Sequence, residues 1–281
     1  MILVVGTLPL EGVDLVWGRV EVQEKSIKIG GEEFPLGRGT AAMMAACAMV
    51  LDGDQLYGVT VGDIGTGEGS VKLYRFLAEE VPKLSPAVIC FGYVMPNRTL
   101  HDAAFEAIQD MKPRPMLLAD AGFMYVVKMS GKAPQYDLFT PDLGELAFLA
   151  DDKSPHPFYT RGFIFHMTER VPELIKGAYE TGGAAKVLLV KGERDYVCED
   201  GEILEVIEEP KVPELEPIGG TGDTITGMTA ALIDQGFSLV DAAARAARAN
   251  RRAGELARPN PATQIEEIIH HIPRALEEVL K

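Results

Sequence analysis

Short runs of consecutive apolar residues recur along the chain, at Ile2–Val5, Leu56–Val61, Ala87–Gly92, Met116–Ala119 and Val187–Val190. Runs of this length without polar alternation predict strands covered on both faces, as in a parallel sheet lined by helices. Between them the period changes. Arg98–Met111 places Leu100, Ala103, Ala104, Ala107, Ile108 and Met111 at helical spacing, with Asn97 positioned as the cap. Helices are also predicted near Ser70–Glu80, through Glu145–Leu149, over Pro172–Glu180, and over Ile225–Gln235, Leu239–Ala257 and Thr263–Leu280. Asp137–Thr140 and Phe163–His166 read as further strands, and Asp151–Thr160 as a polar, proline-punctuated surface loop.

Two stretches carry a different signal. Val13–Val22 and Ser26–Ile29 alternate apolar and polar residues before Gly30-Gly31, which predicts half-exposed antiparallel strands forming a small flap outside the main sheet. Tyr196–Cys198 and Ile203–Ile207, joined across Glu199-Asp-Gly201, predict a hairpin at the sheet edge. Strands and helices alternate over most of the length, without internal repeat or long linker, so one principal α/β domain over residues 1–281 is expected.

Composition narrows the function classes. A net charge of −15 argues against a nucleic-acid-binding surface and against an anionic membrane surface, so any polyanionic ligand must be met by a local positive site. No window approaches the ~20 apolar residues of a membrane span. The first apolar run is too short for a signal peptide, and Cys47, Cys90 and Cys198 lie far apart with no zinc or disulfide spacing. A protein of the reducing cytoplasm is expected.

The densest chemical signal is Pro217-Ile-Gly-Gly-Thr-Gly-Asp-Thr-Ile-Thr-Gly227. Three glycines within four residues feed the predicted helix, leaving free N–H groups and the positive end of a helix dipole to meet a phosphate or a developing anion. Asp223 falls in the first turn. A carboxylate there repels a bound anion, which suggests a working group that deprotonates a hydroxyl; the plainer alternative is a helix cap.

Other candidates stand at strand ends. Asp142 and Glu145, in Thr140-Pro-Asp-Leu-Gly-Glu145, share a helix face and could hold Mg²⁺ through water, or could simply cap and open a helix. Lys191-Gly192 ends a buried strand, where ligand crevices open in α/β sheets, although a lysine beginning an exposed turn looks the same. Asp14 and Asp120 could accept hydrogen bonds from substrate hydroxyls or be turn residues. A second glycine turn, Gly37-Arg38-Gly39, opens a helix of small residues suited to close packing on a sheet, and Arg38 could meet an anion or lie on the surface.

Together these segments resemble the ribokinase/PfkB family of small-molecule kinases. Gly37-Arg-Gly-Thr-Ala-Ala is similar to its first glycine turn, Val61-Gly-Asp-Ile-Gly-Thr-Gly67 to its Gly-Asp-x-x-Gly loop, and Gly220-Thr-Gly-Asp223 to its Gly-Ala-Gly-Asp signature. Asp142 and Glu145 fall at the ends of its Asn-x-x-Glu segment, with Asp replacing Asn. The resemblance implies a ribokinase-like three-layer α/β/α sandwich with a mainly parallel sheet and a β lid over residues 13–31, through which a homodimer could form. It implies an ATP- and Mg²⁺-dependent phosphotransferase acting on a sugar, nucleoside or vitamin precursor. Asp223 would be the base, Gly220, Thr221 and Gly222 the anion hole, and Gly219, Lys191 and Gly192 nucleotide contacts. Asp14, Gly37, Arg38, Gly39 and Asp120 would contact substrate, and Asp142 and Glu145 would place the metal.

Two departures stand out: Pro217-Ile218 replaces an acidic-Thr pair, and Met43-Met44 stands in the neighbourhood where an Asn that helps hold sugar hydroxyls is expected, which weakens a simple sugar as substrate. Gly219–Gly227 is also similar to the signature of nucleotide-dependent NAD(P)H-hydrate dehydratases. Thr140–Glu145 resembles their Thr-Pro-His-Pro-Gly-Glu, without the His and second Pro. The expected lid and the Gly-Asp-x-x-Gly loop favour the kinase of the two.

Overall fold

The protein is described from a computed structural model, over residues 1–51, 55–153 and 170–281. The predicted strand at Phe163–His166 lies outside the described residues.

Six strands run parallel through the middle of one sheet: β1 (Ile2–Leu8), β5 (Leu56–Gly62), β6 (Val88–Phe91), β7 (Met116–Ala119), β8 (Leu138–Phe139) and β9 (Val187–Val190). At one edge β9 pairs antiparallel with β10 (Asp195–Glu199), and β10 with β11 (Glu202–Ile207), as the hairpin signal predicts. At the other edge β5 pairs antiparallel with β2 (Val16–Val22), followed by β3 (Ser26–Ile29) and β4 (Glu32–Pro35). The full order is β11-β10-β9-β8-β7-β6-β1-β5-β2-β3-β4.

The expectation of a flap outside the main sheet is therefore corrected. Val16 to Arg19 are in register with Thr60 to Tyr57, so these strands extend the central sheet. Ile27 and Ile29 are fully buried in the core that they share with the first helix. Alternation in this segment reports one covered face and one wet face of an edge hairpin, which is equally what a detached flap would show.

Successive side chains of each central strand enter opposite cores, which is why the runs are apolar throughout. Ile2 and Val4 face a layer built from α1 (Thr40–Val50), α8 (Thr221–Asp234), α9 (Leu239–Ala257), α10 (Ile265–Ile269) and α11 (Ile272–Val279). Leu3 and Val5 face α2 (Glu68–Glu79), α4 (Arg98–Gln109), α5 (Ala121–Met129), α6 (Leu143–Ala150) and α7 (Val171–Glu180), with the short α3 (Val81–Leu84) beside α2. This is the expected three-layer α/β/α sandwich.

Most helices follow their local signals. Asn97 accepts from the Leu100 N–H at 3.1 Å and caps α4 as predicted. The predicted helix over Thr263–Leu280 divides into α10 and α11, because Pro273 near the start of α11 has no N–H to continue the ladder. Helix α5 is an addition to the predicted elements: AGFMYVVKM has too little polar content to show a helical period, and five of its residues are buried. The small residues of α1 serve a second helix as much as the sheet, since α1 lies directly against α8.

Candidate active site

All six parallel strands end on the same side of the sheet, and the loops that leave them, together with the starts of α1 and α8, converge there. Gly220 caps α8 with φ +110°, a left-handed conformation that favours glycine. Gly219 is covered by the Arg38 stem, since a Cβ there would lie 3.0 Å from Arg38 Cδ. Gly222 admits Lys191, whose Nζ would be 3.3 Å from an added Cβ. The first bond that closes α8 runs from the Thr224 N–H to the Gly220 carbonyl at 3.0 Å. The Thr221, Gly222 and Asp223 N–H groups precede it and have no partner within the helix.

Asp223 lies beneath this turn, only 5% exposed. Its Oδ2 accepts the Gly39 N–H at 2.8 Å, so the two glycine turns meet on one carboxylate. Burial and the nearby Asp120 carboxylate raise the Asp223 pKa to about 6, against the opposing pull of Lys191, the Gly39 N–H and the Tyr93 hydroxyl. Such a group is poised near neutral pH, where an acid–base catalyst is most effective.

Lys191 is the cation of the site. Its N–H is held by the Pro141 carbonyl at 2.8 Å and its Nζ pairs with Asp120 Oδ1 at 2.7 Å. Burial alone would depress this ammonium, but Asp120, Glu145 and Asp223 outweigh it and hold the group charged. Asp120 also accepts the Ala121 N–H on Oδ1, and on Oδ2 the Thr226 hydroxyl at 2.8 Å, which in turn meets Thr140 at 2.8 Å. The structure thus employs Asp120 to aim Lys191, in place of the free acceptor of substrate hydroxyls that the sequence suggests. Ala121 adopts φ +48°, a strained conformation next to this carboxylate.

Asp14 is also placed differently from expectation. Its side chain is 91% exposed and pairs with Lys72 on α2 at 2.8 Å, outside the Asp223–Lys191–Asp120 cluster. Asp142 and Glu145 form a reciprocal capping box at the start of α6: the Glu145 N–H donates to Asp142 Oδ1, and the Asp142 N–H donates to Glu145 Oε2. Burial, and then the adjacent Asp142 carboxylate, push Glu145 up to about 8, so this pair carries negative charge that a proton or cation would relieve. Asp63 of the Gly-Asp-x-x-Gly loop accepts from the Gly65, Gly67 and Ser70 N–H groups and from the Ser70 hydroxyl. Burial opposes its ionisation, yet these four donors hold its carboxyl below the usual range.

Two supports escape sequence reading. Asn250 and Arg251 are neighbours on α9, and each secures a different turn. Asn250 donates to the Thr221 carbonyl at 3.0 Å and accepts the Thr224 hydroxyl at 2.6 Å. Arg251 pairs with Asp195 at 2.8 Å and donates to the Gly192 and Glu193 carbonyls. No local motif marks either residue, because an apolar helix face interrupted by polar groups has many uses. Tyr93, beyond the end of β6, is likewise unmarked, although its ring lies on Gly39, with two ring carbons 3.4 Å from where a Cβ would be.

This architecture defines a class of three-layer α/β/α proteins. Two solved structures share the fold: an ADP/ATP-dependent NAD(P)H-hydrate dehydratase from Bacillus subtilis, co-crystallized with ATP/Mg²⁺, and a Bacillus subtilis pyridoxal kinase in complex with ADP. The first aligns over 99% of this chain and 89% of its own at 14% identity with a TM-score of 0.60. The second aligns over 91% and 92% at 15% identity with a TM-score of 0.58. Within that class the chain belongs to the NAD(P)H-hydrate dehydratase family, whose sequence pattern matches residues 73–274. An uncharacterized protein of Methanocaldococcus jannaschii is 42% identical over 224 residues, covering 79% of this chain and 92% of that protein. The ADP-dependent (S)-NAD(P)H-hydrate dehydratase of Cenarchaeum symbiosum is 29% identical over 184 residues, which are 65% of this chain and 58% of that one.

The expected assignment to small-molecule kinases, and with it the phosphotransferase class, is corrected by this family match and by the dehydratase relatives. The features that favoured a kinase are less specific than they look. The residue 13–31 strands are an extension of the sheet, and the Gly-Asp-x-x-Gly loop is a carboxylate-locked turn.

Proposed function

We propose that this protein is a nucleotide-dependent dehydratase that restores reduced nicotinamide dinucleotides from their hydrates. The observation that carries the reading is Asp223: buried, raised to about 6, held by Gly39, and set in a turn of free N–H groups in a chain of the dehydratase family. Removing water from a hydrate requires a poor leaving group, hydroxide, to depart. A bound nucleotide would activate it by giving its terminal phosphoryl group to that oxygen, the shortened nucleotide leaving; the C–O bond would then break with phosphate as the leaving group, as the neighbouring carbon loses a proton.

The chain's own groups would then divide the work. Asp223 takes the hydroxyl proton, and the N–H groups at Gly220, Thr221 and Gly222 meet the negative charge that accumulates on phosphate oxygens. Lys191, fixed by Asp120, adds a full positive charge behind Gly222. Gly219 and Gly192 let backbone approach the nucleotide, while Gly37 and Gly39 shape the opposite wall. Arg38 is exposed with its stem along Gly219, where its guanidinium can reach a phosphate. In a chain of net charge −15, local cations of this kind decide where an anion binds.

Asp142 and Glu145 are the residues that would hold Mg²⁺, since burial and then their adjacency already raise Glu145. Among the described residues no cluster of three or more ligating side chains occurs, so water and phosphate oxygens would complete the octahedron.

The test is direct. Purified protein is incubated with NADPH hydrate and ATP or ADP, and the return of the reduced-nicotinamide absorbance is followed. Recovery that requires nucleotide and falls by orders of magnitude in Asp223→Asn supports the reading. No recovery with either nucleotide, or undiminished recovery in Asp223→Asn, would overturn it.

A further inference from the structure

Helix α8 carries a second feature beyond its N-terminal turn. One helical turn after Gly222, the Thr226 hydroxyl lies 2.8 Å from Asp120 Oδ2 and 2.8 Å from the Thr140 hydroxyl, just past β8. The Gly222 carbonyl stands farther off, at 3.3 Å. A hydroxyl has one proton to give, and it goes to the charged acceptor, Asp120. The Asp120 carboxylate only accepts, so Thr140 is left to donate to Thr226. The chain therefore runs one way, from Thr140 to Thr226 to Asp120, and ends on the Lys191 ammonium 2.7 Å from Asp120 Oδ1. Thr140 and Thr226 are both fully buried, so bulk water competes with neither bond.

This chain ties two parts of the anion turn together. The helix that presents the Thr221, Gly222 and Asp223 N–H groups reaches through Thr226 to the carboxylate that aims Lys191. Lys191 in turn stands behind Gly222, its Nζ 3.3 Å from where a Cβ would be. A threonine within a helix commonly bonds the carbonyl four residues back. Here the shorter bond to Asp120 prevails over that local one, which gives Thr226 a tertiary task.

We infer that Thr226 is a positioning residue for Lys191: its hydroxyl fixes the Asp120 carboxylate, and so the ammonium, in register with the N–H groups of its own helix. The inference rests on the reading of that turn as the place where nucleotide phosphate binds.

The experiment removes the donor and keeps the shape. The Lys191 ammonium resonance, assigned by its disappearance in Lys191→Met, is followed by NMR in the free full-length protein. It is expected to shift or broaden in Thr226→Val and to stay in place in Thr226→Ser, which keeps the hydroxyl. A resonance unmoved in Thr226→Val overturns the inference.

Binding gives a second measure. Calorimetric titration with ADP should show about a ten-fold weakening in Thr226→Val, while adenosine stays within about two-fold, because only the phosphates meet Lys191. The ADP loss should vanish in a Lys191→Met background, since a residue acting through Lys191 then has nothing left to position. A loss shared equally by ADP and adenosine, or one that persists without Lys191, would mark Thr226 as structural and overturn the inference. Thr226→Cys, of similar volume with a weak donor, should fall between parent and Thr226→Val, and carries the same comparison if the valine variant does not fold. Because the resonance needs no ligand, a shifted ammonium in a protein that neither binds ADP nor restores hydrate would sink the proposed function and leave Thr226's role standing.

Discussion

Gly227 of α8 meets Met43 of α1 backbone to backbone: a Cβ added at Gly227 would lie 2.1 Å from the Met43 carbonyl oxygen and 3.1 Å from the Cys47 nitrogen. This contact sets how closely the two helices approach, and so how Gly39 at the start of one reaches Asp223 at the start of the other. The last glycine of the Gly219–Gly227 signature therefore serves the helix crossing, while the earlier ones serve the turn.

Gly227→Ala should force the helices apart. Overpacking of this kind costs roughly 1–3 kcal/mol, to which the lost Gly39–Asp223 hydrogen bond would add. A lowered Tm together with a turnover loss out of proportion to it is expected. A melt indistinguishable from that of the parent protein would show that α1 moves aside without cost.

Asp223→Asn should stabilise the protein while inactivating it. The folded carboxyl, near pH 6 against an ordinary 3.8, binds its proton more tightly than the unfolded one. That contribution is fully present below about 3.8 and is lost as pH rises through 6, so the ionised form is a liability to the fold at neutral pH. The variant should gain on the order of 2 kcal/mol at pH 7.5, shrinking towards zero near pH 4. Denaturant melts at the two pH values measure this, and an advantage of equal size at both would contradict the linkage.

Arg38→Ala should weaken nucleotide binding about ten-fold or more, as expected for loss of a charge-assisted contact, with little effect on Tm because the side chain is exposed. Arg38→Lys should recover only part of it. Calorimetric titration with ADP reads this directly. Equal affinity in the parent and Arg38→Ala would return Arg38 to the surface.

Arg251→Met should be among the most damaging changes away from the anion turn. It leaves the buried Asp195 carboxylate and the Gly192 and Glu193 carbonyls without their partner. Breaking a buried pair in this way costs roughly 3–5 kcal/mol. A drop in Tm accompanied by loosened protection of the amides around Gly192 in hydrogen exchange is expected. A change confined to α9 would mean that the 192–195 turn stands without it.

The sequence by itself determined the sandwich, the mainly parallel sheet, the β10–β11 hairpin and the glycine turn carrying Asp223, because each rests on a period or a backbone requirement read over a few neighbouring residues. Gly219–Gly227 also carries the family, while the 13–31 alternation and the Gly-Asp-x-x-Gly loop resemble a kinase equally well. Only the tertiary structure decided that those strands continue the sheet, that Asp120 serves Lys191, and that Asp14 stands on the surface. It alone brought Gly39 to Asp223. The physical reason is that these relations span 71 to 184 residues for the two hydrogen bonds that define the site, Lys191 to Asp120 and Gly39 to Asp223. They depend on which strands become neighbours in the sheet, and local apolar patterning says that a strand is buried without saying beside which other.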